Sequence, residues 1–246
     1  MIKFVEKANL PDSKVKTVIC GTEDKTVLDF FFQQGITVIK NSPNGKIDSS
    51  VSTHADMCAV HLGKDIILID KNQIELKSRL ENIGMTVYFT QTEIKGEYPS
   101  DIKLNFTVLD SFLIGKVKEG DLALLQKTES LKKLNVNQGY CKCSTLVVSE
   151  NAIITDDESI HKKCLENGIE SLFVVKGDIF LDGHNYGFIG GASGKISKDT
   201  VVFFGDIEKH RDVERIKAFL LEHGCKYICS DKNKLRDIGG IIPLTV

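Results

Sequence analysis

Residues 144–176 read STLVVSENAIITDDESIHKKCLENGIESLFVVK and hold one complete structural unit. Two apolar runs, Ser144–Val148 and Ala152–Asp156, flank a short polar turn, which predicts a β-hairpin. Apolar residues spaced by three and four then predict a helix over Ser159–Asn167. Gly168 ends that helix, because the residue after a helix often takes a left-handed conformation, and an extended segment over Ile169–Lys176 follows. The predicted order is strand, strand, helix, strand.

The same order recurs along the chain. Helical periodicity predicts five helices, each ended by a glycine or an asparagine. The helices are Thr26–Gln34, Ile74–Ile83, Leu122–Leu134, Ser159–Asn167 and Val213–His223. The residues that end them are Gly35, Gly84, Asn135, Gly168 and Gly224. Because each helix is accompanied by two or three strands rather than one, the pattern predicts a ring of five αβ modules instead of a simply alternating α/β sheet.

The fifth module is predicted to be divided between the two ends of the chain. Its helix and first strands lie near the C-terminus, and the segment Val15–Gly21 supplies its closing strand. The stretch from Gly224 to the last residue, continued from the first residue to Gly35, is about as long as one further module. We therefore expect residues 1–246 to form a single domain of five modules.

Composition excludes several classes of protein. The chain has 246 residues and a net charge of −2, which argues against a broad basic face for nucleic acid. It contains no apolar run of the roughly 18 residues that a membrane span needs, so we expect no membrane partner. Its seven cysteines are odd in number and are not spaced as a disulfide framework. Together with an N-terminal sequence unlike a signal peptide, they predict a cytoplasmic protein.

Two short motifs carry residues suited to chemistry. The first, His54-Ala55-Asp56-Met57-Cys58, is predicted to begin a strand whose alternation places His54, Asp56 and Cys58 on one face. A histidine beside a carboxylate can transfer protons, and the carboxylate can hold a cation. The second motif contains Cys141 and Cys143. Cys141 lies nine residues before the hairpin turn at Glu150, and His54 lies nine before Gly63, so the strand register makes Cys141 level with His54.

Five modules of this kind resemble the pentein fold, a five-bladed α/β propeller with pseudo-fivefold repeats around a central channel. This fold is shared by the guanidino-group modifying enzymes, namely deiminases, amidinotransferases and dimethylarginine hydrolases, and by the non-catalytic ribosome anti-association factor. The His54-x-Asp56 sequence resembles the His-x-Asp motif of the deiminases. Gly139, four residues before Cys143, and the following Ser144-Thr145 resemble the segment around their nucleophilic cysteine. Cys143 also lies two modules after His54, as in the deiminases.

The resemblance implies roles for these residues. Cys143 would be the nucleophile, and His54 would be the general acid and base. The strand register leaves Cys141 as the alternative nucleophile. Asp56 and Asp237 would bind a guanidinium group in the channel. Asn185 occupies the position at which the enzymes have an aspartate, which makes a substrate other than a simple guanidine plausible. Asp101 is expected to face the channel as well.

The implied function is that of a cysteine-dependent hydrolase or transferase. It would act on a small guanidino or amidino compound through a covalent thiouronium intermediate, with no metal and no organic cofactor. An activated thiol of this kind is expected to have a lowered pKa. The protein would be a monomer or a homodimer. Two alternatives stay open: a non-catalytic pentein that binds a macromolecular partner such as the ribosome, and an enzyme-derived pentein that has lost its activity.

The glycine-rich segment Gly190-Gly191-Ala192-Ser193-Gly194-Lys195 is similar to a phosphate-binding loop. It is one residue short of that motif, has no Ser or Thr after the lysine, and lies between predicted strands rather than before a helix. We therefore expect a glycine-rich hairpin at the mouth of the channel. Cys225 and Cys229 lack zinc-ribbon spacing and are expected in the core.

Overall fold

The computed structural model describes residues 2–246, in which fifteen short strands form five three-stranded sheets. The strands are β1 (Thr17–Ile19), β2 (Thr37–Ile39), β3 (Ala59–His61), β4 (Ile66–Ile69), β5 (Thr86–Phe89), β6 (Thr107–Leu109), β7 (Phe112–Gly115), β8 (Lys132–Asn135), β9 (Thr145–Ser149), β10 (Ala152–Thr155), β11 (Glu170–Phe173), β12 (Ser193–Ser197), β13 (Thr200–Phe203), β14 (Lys226–Cys229) and β15 (Ile242–Thr245). The α-helices are α1 (Lys25–Gln33), α2 (Ala55–Cys58), α3 (Ile74–Asn82), α4 (Leu122–Lys127), α5 (Glu158–Leu165) and α6 (Val213–Glu222).

Each sheet is one blade of a propeller and repeats the same connection. In four of the five sheets two consecutive antiparallel strands form a hairpin, a helix follows, and the third strand returns parallel to the second. The fifth has the same pairing, with its antiparallel strands β15 and β1 far apart in sequence. A parallel return requires such a crossover, which is why every blade carries a helix. We number the blades by their strands: blade 1 is β15-β1-β2, blade 2 is β3-β4-β5, blade 3 is β6-β7-β8, blade 4 is β9-β10-β11 and blade 5 is β12-β13-β14. The unit predicted in residues 144–176 is blade 4.

The divided module differs from the prediction. Blade 5, which carries the C-terminal helix α6, is complete without the N-terminal strand. Strand β1 instead pairs antiparallel with β15 and parallel with β2, so the divided blade is the one that contains α1. The prediction was wrong because it began each repeat at the helix, whereas the hydrogen-bonded unit begins at the hairpin. The ends of the chain still meet in one sheet.

The third predicted helix is also corrected. Helix α4 stops at Lys127, and the segment Lys132–Asn135 is strand β8, which pairs with β7. The hydroxyl of Thr128 donates to the carbonyl of Leu124 at the end of the helix. Parallel pairing with β7 therefore outweighs the helical spacing of the leucines in this segment, as tertiary context often does. Asn135 does not end a helix.

The other four helix ends agree with the sequence. The glycines that follow α1, α3, α5 and α6 have φ angles between 66° and 89°. These backbone angles lie in the left-handed region, where glycine has no steric penalty. The residues are Gly35, Gly84, Gly168 and Gly224.

Apolar residues on both faces of each strand pack against neighbouring blades. In β10, Ile153 lies in a cluster with blade 3, whereas the next residue, Ile154, lies in a cluster with blade 5. Alternating strand geometry sends these two side chains to opposite faces. Helix α5 is capped by Asp157, whose carboxylate accepts from the amides of Ser159 and Ile160. A blade is thus stabilised from both sides, which explains the continuous apolar runs in the sequence.

The first strands of neighbouring blades contact one another around the axis, as β9 and β12, β12 and β15, and β15 and β3 do. The segments that lead into these strands therefore come together at one end of the molecule. No helix within residues 2–246 is long and apolar enough to cross a membrane.

Candidate active site

The chemistry-bearing residues occupy equivalent positions in the repeats. Cys143, Asn105 and Gly191 each lie two residues before the first strand of their blade. His54 and Asp237 each lie five residues before such a strand, β3 and β15 respectively. Because the first strands surround one axis, the repeat brings these five residues to a common point.

Cys143 is the residue at which these segments meet. Its Sγ lies 2.9 Å from Oδ2 of Asp56 and accepts a hydrogen bond of 3.1 Å from the side-chain amide of Asn105. The Asn105 carbonyl oxygen accepts in turn from the backbone amides of Lys142 and Cys143. Asn105 therefore holds both the backbone and the sulfur of the cysteine. Cys143 is only 2 % exposed, but it lines a cavity.

The motif at 54–58 is not a strand. Residues Ala55–Cys58 form the single helical turn α2, and the strand starts only at Ala59. The predicted common face of His54, Asp56 and Cys58 is therefore wrong. The Sγ of Cys58 lies against the Ala55 carbonyl within an apolar cluster. The turn nevertheless brings ligand atoms of His54, Asp56 and Cys143 within 4.8 Å of one another.

Asp237 lies beside the histidine. Its Oδ1 is 3.7 Å from Nδ1 of His54, and both side chains are buried. The Asp237 carboxylate is fixed by two backbone donors, the amides of Phe188 and Gly239. His54 Nδ1 makes no hydrogen bond within the described chain. The ring therefore keeps a nitrogen free for proton transfer beside a carboxylate.

The glycine-rich segment packs directly under this site. A Cβ atom on Gly191 would lie 1.9 Å from Oδ1 of Asp237, and one on Gly190 would lie 2.4 Å from the Thr145 carbonyl. The Gly191 amide also donates to the carbonyl of Cys143. Strand β12 follows, without a helix, so the segment lacks the geometry of a phosphate-binding loop. It lies at the buried end of the site, against Asp237 and Cys143, and not at the mouth where it was expected.

The electrostatics of the free site oppose ionisation of Asp56 and of the Cys143 thiol. Burial, together with the neighbouring Asp237, raises the pKa of Asp56 to about 6, although His54 and Lys142 act in the opposite direction. Burial and the two carboxylates of Asp56 and Asp237 raise the pKa of the Cys143 thiol well above its usual value. The expectation of a lowered thiol pKa is therefore wrong for the ligand-free protein, because the charges nearest the sulfur are anionic.

Cys141 lies outside this site. It is fully buried in the cluster between blades 3 and 4, and its Sγ is 3.7 Å from the hydroxyl of Thr107. Burial raises its pKa to about 11. Of the two cysteines that the sequence left open, only Cys143 faces the cavity.

The cavity has a volume of about 260 Å³. Its buried end holds His54, Cys143 and Asp237, and its mouth includes Asn185, which is exposed. Asn185 therefore lies away from the cluster in which an aspartate was expected. Asp101 does not line the cavity, but it accepts a 2.7 Å hydrogen bond from the hydroxyl of Tyr140, which does.

Sequence reasoning missed Asn105, Tyr140 and His184. Asn105-Phe106-Thr107 and Cys143-Ser144-Thr145 have the same spacing before a first strand, so comparing the repeats residue by residue would have found Asn105. Tyr140 stacks on Phe188 with ring centroids 6.2 Å apart, which forms an aromatic wall of the cavity. No sequence pattern distinguishes these aromatic residues from core residues.

The cluster of His54, Asp56 and Cys143 also has donor atoms of the types that bind zinc. These three donors could hold one divalent ion and leave a fourth position open. The chemistry described below needs the thiol free, so a chelator belongs in its assays.

A buried acid next to the site yields a prediction about stability. Asp156 follows β10, and its Oδ2 accepts from the Ile189 amide, whereas Oδ1 has no partner within the described residues. Burial raises the pKa of Asp156 to about 8, above its value in the unfolded chain. The folded state thus keeps a proton that the unfolded state releases, so this group makes stability fall as pH rises towards 8.

We expect Asp156→Asn to remove that slope. Between pH 6 and 8, the free energy of unfolding of the wild type should fall by up to about 1.4 kcal/mol per pH unit more than that of the variant, since Asp56 titrates in both proteins. Denaturant unfolding at several pH values measures both slopes. Parallel curves for the two proteins would show that Asp156 is ionised in the folded state.

A family model described as "Family of unknown function (DUF6873)" matches residues 18–242. No curated protein sequence matches the chain significantly. Among solved structures, the amidinotransferase SxtG from Microseira wollei, of the saxitoxin biosynthetic pathway, is 10% identical, with 92% of this chain and 91% of that chain covered and a TM-score of 0.58.

Two further structures show the same likeness. The agmatine deiminase of C. jejuni is 13% identical, with 94% of this chain and 91% of that chain covered and a TM-score of 0.53. A Cys-to-Ser mutant of DDAH from Pseudomonas aeruginosa, in complex with citrulline, is 10% identical, with 93% and 96% covered and a TM-score of 0.56. These are pentein proteins, so the predicted five-bladed fold is confirmed. The chain thus has the pentein fold, and it belongs to the family of unknown function DUF6873.

Proposed function

We propose that this protein is a cysteine-dependent hydrolase or transferase that acts on a small guanidino or amidino compound. The observation that carries the proposal is the grouping of ligand atoms of Cys143, His54 and Asp56 within 4.8 Å of one another. Cys143, His54 and Asp237 line the buried end of the cavity, and Asp56 contacts the cysteine sulfur. A nucleophile, a proton carrier and two anions at one point are the groups that attack on an amidinium carbon needs. The solved structures support the same class, since they include an amidinotransferase and an agmatine deiminase.

Binding of the cationic group comes first. The carboxylates of Asp56 and Asp237 attract a guanidinium and accept its N–H donors, which orients the plane of the group above the cysteine. The faces of Tyr140 and Phe188 favour a cation over a neutral ligand. Water is displaced from a small, largely apolar cavity, which strengthens these interactions.

The bound cation then activates the thiol. In the free protein, burial and the anions of Asp56 and Asp237 keep the Cys143 pKa high, so the sulfur holds its proton. A positive charge within about 4–6 Å lowers the pKa of such a group by about 1–3 units. The enzyme would therefore carry an inert thiol until substrate arrives.

The reaction proceeds in two halves. The Cys143 proton passes to His54, and the thiolate forms an S–C bond to the amidino carbon. His54 donates a proton to the departing nitrogen as the C–N bond breaks, which leaves a positively charged thiouronium on the sulfur. A water molecule, or an amine in the case of a transferase, loses a proton to His54 and attacks that carbon. Cleavage of the S–C bond releases the product and restores the cysteine.

The asparagine at position 185, where an aspartate was expected, does not indicate that activity has been lost. The residue is exposed at the cavity mouth, while Asp237 lines the buried end and Asp56 contacts the sulfur of Cys143. The arrangement therefore favours catalysis over a purely binding role.

A pair of alkylating reagents tests cation-dependent activation. We expect 2-chloroacetamidine, a cation, to modify Cys143 about 10- to 1000-fold faster than neutral 2-chloroacetamide, after each rate is divided by that with free glutathione. The two reagents have similar shapes and the same leaving group, and they differ mainly in charge. EDTA is added so that no metal ion blocks the thiol. Rates are measured by mass spectrometry at pH 7.5. Equal normalised rates would contradict activation by a bound cation.

A further inference from the structure

The mouth of the cavity carries negative charge. Asp48 lines it and is about half exposed, and its Oδ1 accepts from both the amide and the hydroxyl of Ser50. These hydrogen bonds lower the pKa of Asp48, so the carboxylate stays ionised at neutral pH. His184, from the opposite side of the mouth, lies 2.8 Å from the Ser50 hydroxyl and 3.7 Å from Asp48. An anion thus lies at each end of the cavity, Asp48 outside and Asp237 inside.

The wall between these two ends is apolar. Val51 and Leu181 are buried and belong to one apolar cluster, and the ring of Phe188 continues the wall. Such a surface suits methylene groups and offers no partner for a polar chain. The cavity therefore has an anionic buried end, an apolar middle and an anionic mouth.

No lysine or arginine lines this cavity in the part of the chain that the structure describes. Lys176 lies 5.6 Å from the ring centre of Tyr186 and 6.0 Å from that of Phe188, but its Nζ is 3.8 Å from Asp157, which compensates its charge. A substrate carboxylate would find neither of the residues that usually bind it, and it would approach Asp48.

We infer that the substrate is a guanidine whose far end is an amine or another cationic group, joined through an aliphatic chain, and that it carries no carboxylate. The inference rests on the proposed function, because it assigns the guanidinium to the end that holds Cys143. The amine then lies at Asp48 and the methylene groups lie along Val51, Leu181 and Phe188. An amino acid with the same guanidine would bring its carboxylate next to that of Asp48, and repulsion between these two negative charges would exclude it.

Three guanidines with the same head and chain length test this assignment. Agmatine has a cationic tail, 1-butylguanidine has a neutral one, and arginine has the amine together with a carboxylate. Each is measured by the concentration that halves the labelling rate of Cys143 by 2-chloroacetamidine. We expect agmatine to protect at about ten-fold lower concentration than butylguanidine, and arginine to be weaker than agmatine by about ten-fold or more.

Asp48→Asn locates the effect. The amide keeps an acceptor for Ser50 but removes the charge, so the preference for agmatine over butylguanidine should fall by about ten-fold. The matched control is Asp29→Asn on the exposed face of α1, where the wild-type carboxylate pairs with Lys25, and it should keep the wild-type preference.

The outcomes separate this inference from the proposed function. Selective labelling of Cys143 with arginine as the better protectant, or with no protection by any of the three, overturns the substrate class and leaves the catalytic proposal standing. If the Asp48→Asn variant keeps the wild-type preference for agmatine over butylguanidine, Asp48 does not bind the cationic tail. Loss of selective labelling in the wild type overturns both proposals together.

Discussion

Cys143→Ser should reduce turnover of a guanidine substrate by at least about 10⁴-fold, since a hydroxyl is a far weaker nucleophile than a thiolate in this setting. The serine hydroxyl can still donate to Asp56 and accept from Asn105, so the fold should be unaffected. Ammonia or urea release measures the activity, with agmatine as the first substrate, and thermal unfolding measures the fold.

Cys141→Ser is the matched control for this experiment. Cys141 is two residues away and equally buried, but it lies in the core beside Thr107 rather than in the cavity. We expect this variant to lose some stability and to keep most of its turnover. Loss of turnover in Cys141→Ser, with Cys143→Ser still active, would transfer the nucleophilic role to Cys141.

Gly191→Ala should slow modification of Cys143 by 2-chloroacetamidine by about 100-fold or more, because misplacement of a catalytic group by about 1 Å has effects of that size. The added Cβ would lie 1.9 Å from Oδ1 of Asp237, so the carboxylate must leave its present position beside His54. Gly45→Ala is the control, since no atom lies within 4 Å of the Cβ that it would add.

Thermal unfolding of both glycine variants shows whether the loss comes from the site or from the fold. A Gly191→Ala protein that is folded and labelled at the wild-type rate would show that the position of Asp237 does not matter for the chemistry.

The repeat was predictable because the periodicity of its elements is local. The hairpin and helix of blade 4 follow from alternation, helical spacing and Gly168, and the structure has them in that order. The pairing of a cysteine with a histidine from two blades earlier was implied by the resemblance to the deiminases. Cys143 and His54 are brought together because both precede a first strand at the same end of the ring.

The differences from prediction lie where tertiary contacts decide local structure. Lys132–Asn135 continues a helical pattern but pairs with β7, and Ala55–Cys58 alternates like a strand but forms a turn. Both segments are short, so their intrinsic preferences are weak compared with the packing around them. The division of the chain between blades depends on β1 pairing with β15, a contact between residues far apart in sequence.

The electrostatics of the thiol could not be predicted from the motif. A cysteine with a nearby histidine suggests a lowered pKa, but the sulfur contacts Asp56 and is buried, and both effects raise its pKa. Only the three-dimensional arrangement shows that the nearest charges are negative. The thiol pKa is thus raised where the motif suggested that it would be lowered, and for this reason we propose that the cationic substrate itself activates the nucleophile.

Peptide mass spectrometry after brief exposure of the native protein to 2-chloroacetamidine tests the central claim most directly, because it requires no knowledge of the substrate. The account predicts modification at Cys143 ahead of the other six cysteines, and slower modification of Cys143 in the His54→Ala variant. Slow modification spread over the seven cysteines, or modification first at Cys141, would contradict an active site at the meeting point of the blades.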